Sequence, residues 1–200
     1  MPSDSPSILL LIPAYNEESR IGPVLGAYAL YFREHHPDNF HLVVVLNGCT
    51  DDTLGVVERA SEQFPEISHV NIPEPVGKGG ALIEGLKLAP EADLVGYVDA
   101  DGATTPAAFD DLVTECAGAD CVIGSRWMAD SVLRQEQTFR RQFASRVFHA
   151  IVQGFFWMNI RDTQCGAKVM RREAVEAIHS QLTVADMAFD INLLYALKRS

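Results

Sequence analysis

Asp99-Ala100-Asp101-Gly102 sets two carboxylates one residue apart, directly after the apolar run Leu94-Val95-Gly96-Tyr97-Val98. In a strand, residues i and i+2 point to the same side, so Asp99 and Asp101 offer two hard oxygen ligands at one place. That donor set suits Mg²⁺ or Mn²⁺ held jointly with substrate phosphates. An isolated D-x-D is more often a solvated Asx turn; its position at the end of a core strand favours the metal reading. Three further segments of the same polar, small-residue character lie upstream. Pro13-Ala14-Tyr15-Asn16-Glu17-Glu18 follows Ile8–Ile12, Asn47-Gly48-Cys49-Thr50-Asp51-Asp52-Thr53 follows Leu42–Leu46, and Val76-Gly77-Lys78-Gly79-Gly80-Ala81 comes after Ser68–Ile72. Tyr15 can stack on a nucleobase or simply close the top of a sheet, and Asn47 can hydrogen-bond a base edge. Gly77–Gly80 opens a helix, where free amides beside Lys78 would attract an anion.

Other chemistries lack their residues. The G-x-x-x-x-G-K-[ST] spacing of a Walker A loop is absent, and no GxGxxG follows the first strand. No serine or cysteine stands in a nucleophile motif. The six histidines are scattered without ligand spacing, and the four cysteines (Cys49, Cys116, Cys121, Cys165) form no CxxC pair. They read as reduced cytosolic thiols.

The elements that must position these residues follow from apolar patterning. Ile8–Ile12, Leu42–Leu46, Ser68–Ile72, Leu94–Val98 and Cys121–Gly124 read as strands, three of them nearly all apolar, as in a parallel sheet covered on both faces. Glu17–Arg33 puts Ile21, Val24, Leu25, Tyr28 and Phe32 on one helical face. Asp52–Phe64, Gly79–Leu88, Pro106–Ala117 and Met187–Lys198 also read as helices, and Asp162–Arg171 as a loop feeding a short strand. Alternation of this kind predicts an open α/β sheet with right-handed crossovers. In such sheets ligands bind beyond the carboxyl ends of the strands, where all four polar segments lie. A chain that ends on a helix with no closing strand suggests a fragment of something longer.

The chain has 200 residues, 48% apolar and 22% charged, as a soluble globular domain does. Met1 to Pro6 is too polar for a signal peptide, and no apolar run reaches the roughly 18 residues that span a bilayer. The reading is a chain neither secreted nor transmembrane. The net charge of −11 argues against general nucleic-acid binding. It is unevenly spread: residues 1–125 carry 5 basic and 20 acidic side chains, residues 126–172 carry 9 and 3. One basic segment on an acidic body points to a specific anionic partner. Beside its arginines (Arg126, Arg134, Arg140, Arg141, Arg146) runs the apolar, aromatic stretch Phe143–Met158. Together they fit an element lying in a membrane interface, a buried core helix or a dimer contact.

These segments together resemble the family 2 glycosyltransferases of the GT-A fold. PAYNEE is similar to their first-strand motif, VLNGCTDDT to the D-D-G-S-x-D-G-T segment after strand two, GKGGAL to the loop after strand three and DADG to their D-x-D. Gly124-Ser125-Arg126, Asp162-Thr163-Gln164-Cys165-Gly166-Ala167-Lys168 and Ala188-Phe189-Asp190-Ile191-Asn192-Leu193-Leu194 narrow the resemblance to dolichyl-phosphate or polyprenyl-phosphate glucosyltransferases, and less closely to their mannosyl relatives. It runs from about Ile8 to Leu194. Three departures stand out: Leu46-Asn47 replaces a pair of adjacent acids, Ala103 stands where mannosyl relatives place a metal-binding glutamine, and relatives continue past the last helix.

The resemblance implies one catalytic domain over 1–200, a mixed and mostly parallel Rossmann-like sheet with helices on both faces. Residues 1–125 would form a donor half and 126–200 an acceptor half. The implied reaction inverts the anomeric centre while moving a hexose, glucose rather than mannose, from a nucleotide-diphosphate sugar such as UDP-glucose to a polyprenyl or dolichyl phosphate. Pro13, Ala14, Tyr15, Glu17, Asn47, Lys78 and Asp99 would bind the donor. Asp99 and Asp101 would hold Mg²⁺ or Mn²⁺, and Asp101 and Arg126 would be catalytic. Arg140 and Arg141 would grip the lipid phosphate, with Gln164 near the transferred sugar. Arginine suits phosphate through paired hydrogen bonds. A phosphate acceptor is already anionic at pH 7 and needs no general base. The expected location is peripheral, on the cytoplasmic face of a membrane. The alternatives are a soluble acceptor, a sugar nucleotidyltransferase (disfavoured because Pro13–Glu18 is not a glycine-rich basic loop), or a nucleotide-sugar-binding domain without turnover.

Overall fold

A computed structural model describes residues 5–124, 165–186 and 188–200. The chain begins with β1 (Ile8–Ala14), α1 (Ile21–His35), β2 (Phe40–Asn47), α2 (Thr53–Gln63) and β3 (Ile67–Ile72). Then come α3 (Gly77–Gly85), a 3₁₀ turn (Leu86–Glu91), β4 (Leu94–Tyr97), α4 (Pro106–Glu115) and β5 (Cys121–Ile123). After the undescribed stretch follow β6 (Lys168–Arg171), α5 (Arg172–Ile178) and α6 (Phe189–Arg199). The six strands form one sheet in the order β3-β2-β1-β4-β6-β5. β3, β2, β1 and β4 are parallel, while β6 is antiparallel to both β4 and β5.

Period-two alternation divides the strands between two cores. Leu10, Ile12, Leu42 and Val44 pack with Leu25, Phe32, Val57 and Phe109 of α1, α2 and α4 on one face. Leu9, Leu11, Val43 and Val45 pack with Leu82, Val175, Ile178 and Leu193 of α3, α5 and α6 on the other. Burial on both faces is why these strands read as continuous apolar runs.

The expected mixed, mostly parallel sheet with helices on both faces is therefore present. Three details differ from the sequence expectation. α1 starts at Ile21 rather than Glu17, because Glu17–Arg20 is a turn: the Glu17 carbonyl accepts from the Arg20 and Ile21 amides, both at 2.9 Å. α3 starts at Gly77 and gives way to the 3₁₀ turn containing Pro90, which cannot donate in an α-helical ladder. α5 was not foreseen. β6 enters between β4 and β5, so a segment after residue 126 completes the same sheet as residues 1–125. The four cysteines form no disulfide. Among the described residues no helix is long and apolar enough to cross a membrane.

Candidate functional site

Beyond the carboxyl ends of β1, β2 and β4, the connecting segments are tied to one another. The Glu17 amide donates to Thr53 Oγ1 at 2.7 Å and the Glu18 amide to Asp51 Oδ2 at 3.1 Å. The Thr50 amide donates to Asn16 Oδ1 at 2.8 Å, and the Asp52 amide to Glu18 Oε2 at 2.7 Å. Asn16 adopts a left-handed φ of 54°, which asparagine tolerates. Burial pulls the Asp51 pKa upward, but hydrogen bonds from Thr53 and from the Glu18 and Thr53 amides outweigh it and hold the carboxyl below its ordinary value. An ionised Asp51 thus staples the first segment to the second.

The second and third segments meet at Gly48. Its φ is 63°, and a Cβ there would lie 2.5 Å from the Pro75 nitrogen, so both backbone conformation and space demand glycine. Asn47 Oδ1 accepts from the Val76 amide at 2.7 Å. The side-chain oxygen of Asn47, a residue expected to hydrogen-bond a base edge, therefore holds the entrance to α3.

These segments enclose a cavity of about 490 Å³. Pro13, Ala14, Tyr15 and Glu17 line it from the end of β1, Asn47 from the end of β2, Lys78 from α3, and Asp99 and Asp101 from beyond β4. Every donor-site and metal-site residue expected from the sequence is thus brought to one hollow. Tyr15 is 54% exposed, leaving its ring available for stacking. Arg20 also lines the cavity and escaped the sequence reading. Its guanidinium donates to both Glu17 oxygens, at 2.7 and 2.8 Å. The i,i+3 spacing of acid and base was the available signal. Arg126, Arg140, Arg141 and Gln164, with the apolar stretch Phe143–Met158, lie outside the described residues.

Charge in the cavity is close to balanced but acidic: Glu17, Asp99 and Asp101 face Arg20 and Lys78. Lys78 Nζ pairs with Asp99 Oδ1. Asp101 Oδ1 accepts from the Ala103 amide at 2.9 Å, an Asx turn. Among the described residues Asp101 enters no ion pair. A hollow with a net negative charge repels a diphosphate unless a cation accompanies it. Two carboxylates beside open space fit Mg²⁺ or Mn²⁺, which bind through one or two carboxylates and complete their shell with phosphate and water. Among the described residues no cluster of three or more His, Cys, Asp or Glu forms, so the diphosphate would have to supply part of that shell.

At the start of α3 one backbone amide already has a partner. The Gly80 amide donates to the Ala185 carbonyl at 3.1 Å. Cβ atoms at Gly77 and Gly79 would lie 2.4 Å from Ala185 O and 2.7 Å from Val184 O. The glycines admit the segment before α6, which covers this helix end.

The glycosyl transferase family 2 model matches residues 9–178. The chain belongs to glycosyl transferase family 2. It is 32% identical over 194 residues to dolichyl-phosphate beta-glucosyltransferase ALG5C of Trichomonas vaginalis, covering 92% of this chain and 57% of that protein. It is 31% identical over 207 residues to the dolichyl-phosphate beta-glucosyltransferase of Drosophila melanogaster, covering 96% of this chain and 63% of that one. The chain thus spans less than two thirds of the length of these curated relatives. Among solved structures, its fold matches Mycobacterium tuberculosis glucosyl-3-phosphoglycerate synthase, crystallised with Mn²⁺, UDP-glucose and phosphoglyceric acid. The TM-score is 0.68 at 20% identity, over 95% of this chain and 64% of that one.

Proposed function

We propose that this chain is the catalytic domain of a glycosyltransferase that moves glucose from UDP-glucose to the phosphate of a polyprenyl or dolichyl lipid. The observation that carries the donor half of this reading is the single cavity beyond β1, β2 and β4. It gathers an exposed aromatic ring, a lysine and the two carboxylates of the D-x-D. The acceptor half is supported by relatives named dolichyl-phosphate beta-glucosyltransferase at about 30% identity over nearly the whole chain.

In the proposed reaction an acceptor phosphate oxygen attacks the anomeric carbon from the face opposite the diphosphate. The bond to UDP breaks, and the configuration inverts. The main demand is charge growing on the departing diphosphate. Asp99 and Asp101 would hold the Mg²⁺ or Mn²⁺ that neutralises it. Lys78, displaced from Asp99 as the donor enters, would add a second positive charge. Tyr15 would stack on the base. Glu17, fixed by Arg20, would bind the ribose side of the donor. Arg126, Arg140 and Arg141 would hold the acceptor phosphate, with Gln164 beside the glucose. The phosphate is an anion at neutral pH, so no side chain has to remove a proton. The basic segment and Phe143–Met158 would keep the protein on a membrane surface, on the side where nucleotide sugars are found.

The test is incubation with radiolabelled UDP-glucose, Mg²⁺ and polyprenyl phosphate, followed by extraction into organic solvent. Label in the organic phase supports the proposal. Label released only into water in the presence of 3-phosphoglycerate would replace the lipid with a soluble acceptor. No metal-dependent consumption of UDP-glucose with either acceptor would refute the donor site.

A further inference from the structure

Beneath the D-x-D, and lining no part of the cavity, lies a buried cluster of charge. Tyr97 and Lys168 are fully enclosed and Asp190 is 7% exposed. Tyr97 and Lys168 are register partners across the β4–β6 ladder. Lys168 Nζ donates to Asp190 Oδ1 at 2.5 Å and to the Cys165 carbonyl at 2.7 Å, and lies 5.2 Å from the centre of the Tyr97 ring. The Tyr97 hydroxyl donates to the same Asp190 oxygen. Burial first, and the Asp190 charge second, push the Tyr97 pKa well above its ordinary value, so the hydroxyl remains a donor.

We propose that Tyr97, Lys168 and Asp190 form a positioning device for the Lys78–Asp99 pair, so that donor and metal affinity depend on three residues that touch neither ligand. The proposal rests on the donor-site reading above. Two routes lead from Asp190 to that pair. The first runs through Lys168 to the Cys165 carbonyl and on to Gly166, whose hydrogen faces the Asp99 carboxylate so closely that a Cβ would lie 2.0 Å from Oδ2. Lys168 thereby fixes the backbone wall against which Asp99 rests. Tyr97 adds to this from within β4, two residues before Asp99. The second runs through Phe189, adjacent in α6, whose Cβ would lie 2.7 Å from a Cβ at Gly79. Gly79 follows Lys78. One helix start therefore braces both members of the pair.

A purely structural role accounts poorly for this chemistry. Taking an ammonium and a carboxylate out of water is costly, and well-packed apolar side chains of similar volume often serve stability equally well or better. What apolar side chains cannot do is bind a specific carbonyl and hold the Cys165–Gly166 backbone in register.

The decisive variant is the double substitution Lys168→Met with Asp190→Leu, which replaces the pair with apolar groups and leaves no buried charge alone. Three quantities are measured: melting temperature, Mn²⁺-dependent UDP binding by calorimetry, and hydrogen exchange across residues 165–167 without ligand. The proposal expects a folded protein that melts somewhat below wild type, because the Tyr97 hydroxyl and the Cys165 carbonyl lose their partners, with faster exchange across 165–167 and UDP–Mn²⁺ binding weaker by about 10-fold or more, the scale of losing a partner that orients a metal ligand. A folded double variant with wild-type exchange and wild-type binding overturns it, leaving a structural cluster only. If the unmodified protein binds no UDP with Mn²⁺, the donor reading fails, and exchange across 165–167 still decides the positioning claim. If the double variant does not fold, Tyr97→Phe carries the same measurements. That substitution removes one hydroxyl and keeps the ring, so unchanged exchange and binding there overturn the proposal.

Discussion

At the carboxyl edge of the sheet lies the hollow of about 490 Å³ that collects the D-x-D, Lys78 and Tyr15. At the amino ends of β2 and β3 lies another, of about 610 Å³, lined by residues that include Arg33, His36, Asp38 and Glu66. Volume would favour the second and chemistry favours the first. In the amino-edge groove Arg33 donates to both Glu66 oxygens, at 3.2 and 2.9 Å. His36 Nε2 is 2.6 Å from Asp110 Oδ1. These contacts pin the end of α1 to the turn before β3 and to α4. At the carboxyl edge the hydrogen bonds run between loops instead, through Asn16, Asp51 and Thr53, and leave Asp101 outside any ion pair among the described residues. A parallel sheet separates its successive strands with helices, so loops at the carboxyl edge can diverge around a ligand. The amino-edge charges brace the fold, and the carboxyl-edge loops build a site.

The sharpest way to break this contrast is to remove one carboxylate at each edge's charge centre, or its partner. Asp101→Asn keeps an oxygen able to accept from Ala103, so the Asx turn survives while an anionic ligand is lost. Metal-dependent turnover should fall by at least ~10²-fold, as with removal of one preorganised electrostatic group. Arg33→Ala at the amino edge should leave turnover unchanged and cost about 1 kcal/mol, because the Arg33 side chain is half exposed to solvent. Steady-state kinetics and denaturant melts on both variants check this. Wild-type turnover in Asp101→Asn at saturating Mg²⁺ would sink the metal site, and loss of turnover in Arg33→Ala would make the amino edge functional.

Glycine substitutions give a smaller effect with opposite signs in two places. Gly79→Ala drives a methyl into the Val184 carbonyl and Phe189 at 2.7 Å. The backbone before α6 must move, at a cost of about 1–3 kcal/mol, and Lys78 should move with it, weakening UDP binding. Gly26 lies within α1, and a Cβ there meets nothing within 4 Å. Gly26→Ala should stabilise by roughly 0.5–1 kcal/mol through helix propensity and leave binding alone. Thermal melts with and without UDP and Mn²⁺ separate the two. Equal responses at both positions would mean that the segment before α6 does not bear on α3.

How far the sequence disclosed this arrangement depends on whether the signal was local. The apolar strands, the helix faces and the four polar segments at strand ends are local patterns, and the cavity contains every expected donor residue. The insertion of β6 between β4 and β5 is not local, because nothing in Lys168–Arg171 says which edge it joins. The buried cluster escaped for the same reason: Tyr97, Lys168 and Asp190 come from three elements, and Lys168 in sequence looks like one more surface lysine. A glycine-rich helix start can admit either a phosphate or a neighbouring carbonyl, and only the fold shows that Ala185 takes that place at Gly80.

The smallest expected effect again belongs to the amino-end side. His41 stands second in β2, half-buried, with Nε2 2.8 Å from Ser68 Oγ on β3. Burial lowers its pKa below the ordinary 6.5, partly opposed by the nearby Glu91 charge. Between the lowered folded value and 6.5 the unfolded chain binds the proton more readily than the folded one. Stability from this group is therefore complete above about 6.5 and declines as the pH falls through that window. His41→Gln keeps a hydrogen-bonding partner for Ser68 and removes the titration. Calorimetric melting temperatures at pH 7.5 and 5.5 should drop less in the variant than in the wild type, while UDP binding at pH 7.5 stays the same in both. An equal drop would show that other groups carry the acid sensitivity. A change in UDP binding would show that β2 transmits strain from its amino end to Asn47 at its carboxyl end, and the division between a bracing edge and a binding edge would fail.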